Sequence, residues 1–114
     1  MKADIIREKK RPDKMRLEYT GISRRVLAEI CSEAEKYRVT KILLFGSRAR
    51  GTHADKSDID LAVYGCIDFA EFSFAMQEEV WTLLKMDLIN MDEPVSTDLK
   101  AEIRRDGVTI YEKI

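Results

Sequence analysis

Two aspartates, Asp58 and Asp60, alternate with aliphatic residues at the start of an apolar run that continues to Val63. In an extended strand successive side chains point to opposite faces, so the two carboxylates share one face about 7 Å apart. Neighbouring carboxylates repel unless cations lie between them, and Mg²⁺ prefers oxygen ligands of this kind. Paired ions stabilise the attacking and leaving oxygens of a nucleotidyl displacement. The alternative is that Asp58 caps a turn and Asp60 is a solvated strand residue, because so short a motif also occurs by chance.

A glycine and a serine, Gly46 and Ser47, follow another apolar run that predicts a buried strand, Val39 to Phe45. Glycine lets a phosphate approach the backbone closely, and Ser47 can cap a short helix. Free amides at the start of a helix, helped by Arg48 or Arg50, suit a triphosphate. By itself a glycine-serine pair indicates only a turn.

A third aspartate, Asp87, lies inside a later short strand, Lys85 to Met91. A carboxylate within an apolar strand costs free energy unless a cation or hydrogen-bond donors meet it. If this strand lies next to the strand of Asp58 and Asp60, the three acids form a triad. The alternative is an edge-strand aspartate that faces water.

Together these residues resemble the compound motif of the minimal nucleotidyltransferases (MNT proteins) of the DNA polymerase β-like nucleotidyltransferase superfamily. The motif is Gly46-Ser47, ten further residues and Asp58-x-Asp60, with Arg48-Ala49-Arg50-Gly51 inside it and Ser57 before the first aspartate. The resemblance covers roughly residues 25–112. It implies the palm fold of polymerase β-like nucleotidyltransferases.

The resemblance also implies roles for the three acids. Asp58 and Asp60 would bind two Mg²⁺ ions, and Asp87 would bind the ion that activates the acceptor hydroxyl and act as, or position, the general base. These three aspartates are therefore the predicted catalytic residues and metal ligands.

The nucleotide is expected to be ATP, held by Gly46, Ser47, Arg48 and Ser57. Gly46 and Ser47 would hold the β- and γ-phosphates, and Arg48 would offer charge to the departing pyrophosphate. Ser57 is expected to hydrogen-bond the following backbone and thereby hold Asp58 in position.

Proteins of this minimal size resemble the antitoxin of HEPN/MNT toxin-antitoxin pairs. The resemblance implies Mg²⁺-dependent transfer of AMP from ATP to a hydroxyl, expected to be a tyrosine, of a partner HEPN toxin. One alternative is a non-catalytic binding module that occludes its partner through Phe74 and Trp81. Another is nucleotidylation of a small molecule such as an aminoglycoside, against which the lack of room for an acceptor domain argues.

Composition is consistent with one globular domain. The 114 residues are 45% apolar and 36% charged, and a net charge of −1 gives no indication of nucleic-acid binding. Cys31 and Cys66 have no metal-binding spacing, and no signal peptide or membrane-spanning run is present, so we expect a cytoplasmic protein with both cysteines packed in the core. His53 is the only histidine, which argues against a zinc site.

The remaining elements predict an α+β domain, residues 20–114, with a mixed β-sheet and helices mainly on one side. Residues 1–19 form a basic, partly ordered arm that is either solvated or in contact with RNA or an acidic partner. Predicted helices span residues 23–37, 68–84 and 96–105, and a closing strand spans 108–111. On the second helix Phe72, Met76 and Leu83 point inward; Phe74 and Trp81 either widen this buried face or form an exposed anchor.

Overall fold

A four-stranded sheet forms the centre of the computed structural model, which describes residues 17–113. The strand order is β3-β2-β1-β4, with β1 (Lys41–Phe45), β2 (Ile59–Tyr64), β3 (Met86–Asn90) and β4 (Val108–Glu112). Within the described residues there are four α-helices: α1 (Arg24–Lys36), α2 (Gly46–Arg50), α3 (Phe69–Glu79) and α4 (Thr97–Asp106).

The sheet is mixed, as predicted. Strand β1 pairs antiparallel with both β2 and β4, whereas β2 and β3 are parallel. A parallel pair needs a crossover connection, and α3 supplies it. Because β2 and β3 run in the same direction and opposite to β1, both begin at the end of the sheet where β1 finishes. The α+β class is confirmed.

Helix α1 packs its apolar stripe on one face of the sheet. The Ser23 hydroxyl accepts a hydrogen bond from the Val26 amide at 3.1 Å and so caps the helix. Ile30 and Ala34 are fully buried against strand residues such as Leu44 and Leu61. Burial of each large aliphatic side chain contributes roughly 1.5–3 kcal/mol, so this layer supplies much of the stability.

Helix α3 packs on the same face but ends at Glu79, not at the predicted Leu84. The chain turns because the Trp81 amide donates a hydrogen bond to the Glu29 carboxylate of α1 at 2.8 Å. This bond replaces the one that the amide would make inside a longer helix. It also lowers the pKa of Glu29, because the amide stabilises the carboxylate.

The early end of α3 changes the predicted buried stripe. Phe72 and Met76 are buried as predicted, and Asp68 caps the helix by accepting from the Glu71 amide at 3.2 Å. Leu83 was expected to point inward, and that prediction is wrong, because it follows the helix and is fully exposed.

Helix α4 lies on the opposite face, where it covers β1. Ser96 caps it by accepting from the Leu99 amide at 3.1 Å, and Ile103 packs against Phe45 and Ala62. The helices are therefore mainly on one side, with α1 and α3 on one face and α4 alone on part of the other.

The chain enters the described part at Leu17. This side chain is buried in the core beside α1, and a short 3-10 turn, Glu18–Thr20, leads to Gly21. The domain packing thus includes residues at the end of the predicted arm, whose residues 1–16 lie outside the described residues. Across residues 17–113, no helix combines the length and apolar character that a bilayer span would require.

Phe74 and Trp81 do not widen the buried face of α3, because both side chains are exposed. Phe74 is 69% exposed and Trp81 is 77% exposed, and the Arg25 guanidinium lies 5.9 Å from the centre of the Trp81 ring. Their role as a partner anchor stays a prediction. Cys66 is buried as predicted, which raises the pKa of its thiol, and Cys31 is half-buried.

Candidate active site

The three predicted acids lie at the end of the sheet where β2 and β3 begin. Asp60 in β2 is in direct register with Asp87 in the parallel strand β3, and Asp58 immediately precedes β2. Register partners in a parallel pair point to the same face, from strands about 4.8 Å apart. On that face α4 packs over β1 and reaches Ala62 of β2, and its Glu102 lies close enough to influence Asp60.

Electrostatic repulsion among these acids is visible at Asp60. Burial, followed by the negative charges of Asp87, Asp58 and Glu102, raises the pKa of the Asp60 carboxyl to about 6. Arg50 opposes this shift. A carboxyl with so raised a pKa gains most from a cation placed beside it.

Gly46 lies directly against the Asp60 carboxylate. Its backbone has φ +77°, a left-handed conformation that favours glycine. A Cβ atom at this position would overlap Asp60 Oδ2 and lie 3.2 Å from its Cγ. Any side chain other than hydrogen would therefore push the acid out of place.

The polar loop before Asp58, residues 51–57, is closed by Ser57. The Ser57 hydroxyl accepts a hydrogen bond from the Ala54 amide at 2.9 Å, and its own amide donates to the Ala54 carbonyl at 3.1 Å. The predicted hydrogen bond to the following backbone is not formed; the hydroxyl instead braces the preceding turn. Its contact with a nucleotide stays a prediction.

Arg48 does not face the acids, contrary to the expectation that it contacts the departing pyrophosphate. It is 2% exposed, and its guanidinium donates to three backbone carbonyls: Nε to Ser57 at 3.0 Å, Nη1 to Thr20 at 2.8 Å and Nη2 to Asp55 at 2.9 Å. All three guanidinium nitrogens are thus occupied within the fold. A side chain buried in this way has no surface to offer to a phosphate.

Arg50 is the basic residue on the side of the acids. Its guanidinium lies 3.3 Å from Asp106 Oδ2 and 3.7 Å from Glu102 Oε2, and the side chain is 40% exposed. In a helix two positions differ by 200°, so Arg48 and Arg50 point to nearly opposite sides of α2. Both arginines were candidates for phosphate contact, and no sequence signal distinguishes them, because the choice depends on which side of α2 is buried.

Ser47 lies at the start of α2, half-buried, next to Gly46. Its carbonyl accepts from the Thr52 amide at 2.9 Å, which ties α2 to the loop that follows. Its predicted contact with the nucleotide phosphates stays a prediction.

The chemistry of the acids fits a hard divalent cation. All three candidate ligands are carboxylates, and a cation would offset both the burial and the repulsion that raise the pKa of Asp60. Among the described residues the ion-pair partner of Asp87 is Lys85, an exposed side chain whose Nζ lies 3.5 Å from Oδ1 and which holds it weakly. With the side chains as they stand, no three acidic, histidine or cysteine residues of segment 17–113 enclose a common metal position. Binding an ion thus requires the carboxylates to turn toward one another.

Comparison with known proteins relates this arrangement to one family. A family model described as polymerase beta, nucleotidyltransferase, matches residues 27–114. A Methanocaldococcus jannaschii protein named as a candidate protein adenylyltransferase is 37% identical over 80 residues, which are 67% of this chain and 81% of that relative. A second such protein of the same organism is 53% identical over 32 residues, 28% of this chain and 32% of the relative, so this match spans about a third of the relative's length.

Two solved structures share the fold. A toxin-antitoxin crystal structure with AMP-PNP has a TM-score of 0.56 at 24% identity, and the match covers 76% of this chain and 73% of that chain. The toxin-antitoxin pair MntA-HpeT, in a mutant form, has a TM-score of 0.54 at 21% identity, with the same coverage. At these identities the likeness concerns the fold alone.

Proposed function

Because this chain belongs to the polymerase beta nucleotidyltransferase family, we propose that it transfers AMP from ATP to a hydroxyl group of a partner protein. The acceptor is expected to be a tyrosine of a HEPN toxin, which makes the chain its antitoxin. The reaction depends on Mg²⁺ and takes place in the cytoplasm.

One observation carries the proposal: Asp60 lies in register with Asp87 and close to Asp58, with its pKa raised to about 6 and Gly46 packed against it. Neighbouring carboxylates that can share divalent ions are what a metal-dependent nucleotidyl transfer needs.

In the proposed reaction, the acceptor hydroxyl oxygen forms a bond to the α-phosphorus of ATP. The bond from that phosphorus to the bridging oxygen breaks, and pyrophosphate leaves. The hydroxyl proton passes to Asp87, which lies on the edge strand β3. Asp58, Asp60 and Asp87 would hold Mg²⁺, which supplies charge stabilisation to the oxygens of the phosphates.

The nucleotide phosphates would lie at Gly46 and Ser47, where β1 meets α2. Arg50 takes the role that the sequence suggested for Arg48, because it is the half-exposed arginine whose charge reaches Asp60. Charge-assisted hydrogen bonds to phosphate oxygens are the strong ones, so Arg50 would favour the departing pyrophosphate.

Two comparisons support a protein as acceptor. The relatives from Methanocaldococcus jannaschii are named as candidate protein adenylyltransferases, and the structural neighbours are toxin-antitoxin complexes, one of them with AMP-PNP. AMP-PNP is an analogue of ATP, which agrees with an adenine nucleotide as the donor. The HEPN class of the partner and the tyrosine acceptor rest on the motif resemblance.

The test is transfer of AMP to the purified partner, with ATP and Mg²⁺, read by intact mass. The wild-type chain should add the mass of AMP to the partner, whereas Asp58→Ala and Asp60→Ala should not. Glu35→Ala is a matched control, because Glu35 is an exposed acid of α1, which packs on the opposite face of the sheet. Transfer at the wild-type rate by either alanine variant would refute the catalytic assignment.

A second candidate function is occlusion of the partner without chemistry. The exposure of Phe74 and Trp81, on the helices' side of the sheet, favours it because aromatic residues are common at the centres of interfaces. Partner binding and neutralisation without any ATP-dependent mass increase would support this function over transfer. Loss of partner binding in Trp81→Ala would show that Trp81 lies in the contact with the partner.

A further inference from the structure

Arg48 is a buried cation that the proposed chemistry leaves without a task. Within residues 17–113, no carboxylate lies within ion-pair distance of it. A buried guanidinium without a counter-ion needs hydrogen-bond acceptors, and here each of its three nitrogens donates to a carbonyl oxygen. Because the guanidinium is planar and rigid, it fixes the relative positions of the three carbonyls that it joins.

One of these carbonyls belongs to the peptide bond that leads into Asp58. The Ser57 carbonyl, 3.0 Å from Arg48 Nε, shares a rigid plane with the Asp58 amide. Holding this oxygen therefore sets the orientation of the peptide plane and the direction in which the Asp58 side chain leaves the backbone.

Asp58 needs such an anchor, and Asp60 does not. Asp60 lies within the ladder between β1 and β3, opposite Phe45 and Asp87. Asp58 precedes β2, and the first hydrogen bond of that ladder is made by the next residue, from the Ile59 amide to the Lys85 carbonyl at 2.8 Å. The loop before it is held by polar contacts, because residues 54–56 are exposed.

Arg48 also ties this loop to the turn before α1. Its Nη1 donates to the Thr20 carbonyl, and the next residue, Gly21, has φ +72°. A Cβ at Gly21 would lie 2.8 Å from Arg48 Nη1 and 2.7 Å from His53 Nε2. The absence of a side chain at this position lets the turn, the arginine and the loop pack together.

We propose that Arg48 is a positioning residue that sets Asp58 in place through the Ser57 carbonyl. This inference rests on the proposed nucleotidyl transfer, in which Asp58 is a metal ligand. Arg48 contacts neither nucleotide nor metal in this role, and its effect is felt in metal affinity and turnover.

The test is Arg48→Lys, which keeps the charge but has a single ammonium that cannot reach three carbonyls in a plane. Mn²⁺ binding to the nucleotide-free full chain is measured by titration calorimetry, and transfer kinetics are measured with partner and ATP. We expect the Mn²⁺ dissociation constant to rise about 10- to 100-fold, the range typical of residues that orient metal ligands. The kcat should fall while the KM for ATP stays near wild type.

Two controls separate positioning from general loss of stability. Ile110→Ala removes a buried side chain of β4 at the far edge of the sheet, so it lowers the Tm without touching the loop. Arg24→Lys changes an exposed arginine near the same turn. Both should keep the wild-type Mn²⁺ affinity per folded molecule.

Gly21→Ala provides a second variant in case Arg48→Lys does not fold. Its Cβ atom should displace the Arg48 guanidinium while Arg48 itself is unchanged, and Mn²⁺ binding should weaken as it does in Arg48→Lys. Wild-type Mn²⁺ affinity in a folded Arg48→Lys or Gly21→Ala chain would overturn the proposal, as would a wild-type chain that binds no Mn²⁺. A raised KM for ATP with unchanged Mn²⁺ affinity would also overturn it, because Arg48 would then act on the nucleotide.

The two proposals fail in different ways. A wild-type chain whose Mn²⁺ binding depends on Arg48 but which transfers no AMP would refute the proposed function alone. A chain that transfers AMP and whose Mn²⁺ affinity is unchanged by Arg48→Lys would refute the positioning role alone.

Discussion

Replacing Gly46 with alanine should suppress nucleotidyl transfer far more than it lowers stability. The added Cβ overlaps Asp60 Oδ2 and lies 3.2 Å from its Cγ, so the carboxylate oxygen must retreat by about 1 Å to reach ordinary contact. A displacement of about 1 Å in a catalytic group can lower the rate on the order of 100-fold. We therefore expect kcat to fall by about two orders of magnitude per folded molecule.

The same substitution also strains the backbone. Gly46 has φ +77°, and a side chain in the left-handed region costs about 1–2 kcal/mol. For a domain of this size that free energy lowers the Tm by roughly 5–15 °C. Calorimetry gives the Tm, and the intact mass of the partner over time gives the rate.

Gly51→Ala is the matched control. Gly51 has the same φ of +77°, but its Cβ would meet only the Tyr19 ring, at 3.2 Å. Both variants should therefore lose stability, whereas only Gly46→Ala should lose transfer. Equal transfer rates in the two variants would refute the assignment of Gly46 and Asp60 to one site.

Three further perturbations test other parts of the structure. Asp60→Asn should raise the Tm of metal-free protein at pH 8 but not near pH 4. The folded state raises the carboxyl pKa from 3.8 to about 6, so stability contributed by the protonated form is lost as the pH rises through 6. Arg50→Gln should lower kcat/KM for ATP about 10- to 100-fold, because the lost charged hydrogen bond to the departing pyrophosphate contributes about 1.5–3 kcal/mol. Leu83→Ser should change the unfolding free energy in urea by less than about 0.5 kcal/mol, whereas Phe72→Ala should cost about 3–5 kcal/mol.

Each of these predictions has an opposing result. A Tm difference between wild type and Asp60→Asn that does not vary with pH would contradict the raised pKa. An unchanged kcat/KM for ATP in Arg50→Gln would show that Arg50 does not contact the departing pyrophosphate. A large loss of stability in Leu83→Ser would instead support the longer helix, 68–84, that periodicity predicted.

The sequence allows correct prediction of structural features that depend only on residues close together in the chain. From the sequence, Thr20 or Ser23, Asp68 and Ser96 are candidate helix caps, and the side chains of Ser23, Asp68 and Ser96 each accept an amide hydrogen bond at a helix start. A cap depends only on a hydroxyl or carboxylate three residues before a free amide, so no tertiary information is needed. The alternation of β2 likewise predicts which of its side chains are buried.

The errors come from contacts between distant segments. The end of α3 depends on a hydrogen bond from Trp81 to Glu29 of another helix, which no periodicity contains. The burial of Arg48 depends on carbonyls of a turn and of a loop, Thr20 and Ser57 among them. A basic residue beside a glycine-serine pair suggests phosphate binding, and only the fold reveals that its donors are already used.

The order of the strands separates the two reactants in space. Gly46 follows directly after the inner strand β1, whereas Asp87 lies on β3 at the edge of the sheet and its side chain is 40% exposed. Asp60 lies on β2, between these two strands, so it can contribute to binding both the nucleotide and the acceptor. We therefore expect the nucleotide to lie over β1 and β2 and the acceptor to approach across the open edge of β3. A partner that reaches this edge would need no pocket from this chain, and a domain this small could modify a protein without an acceptor domain of its own.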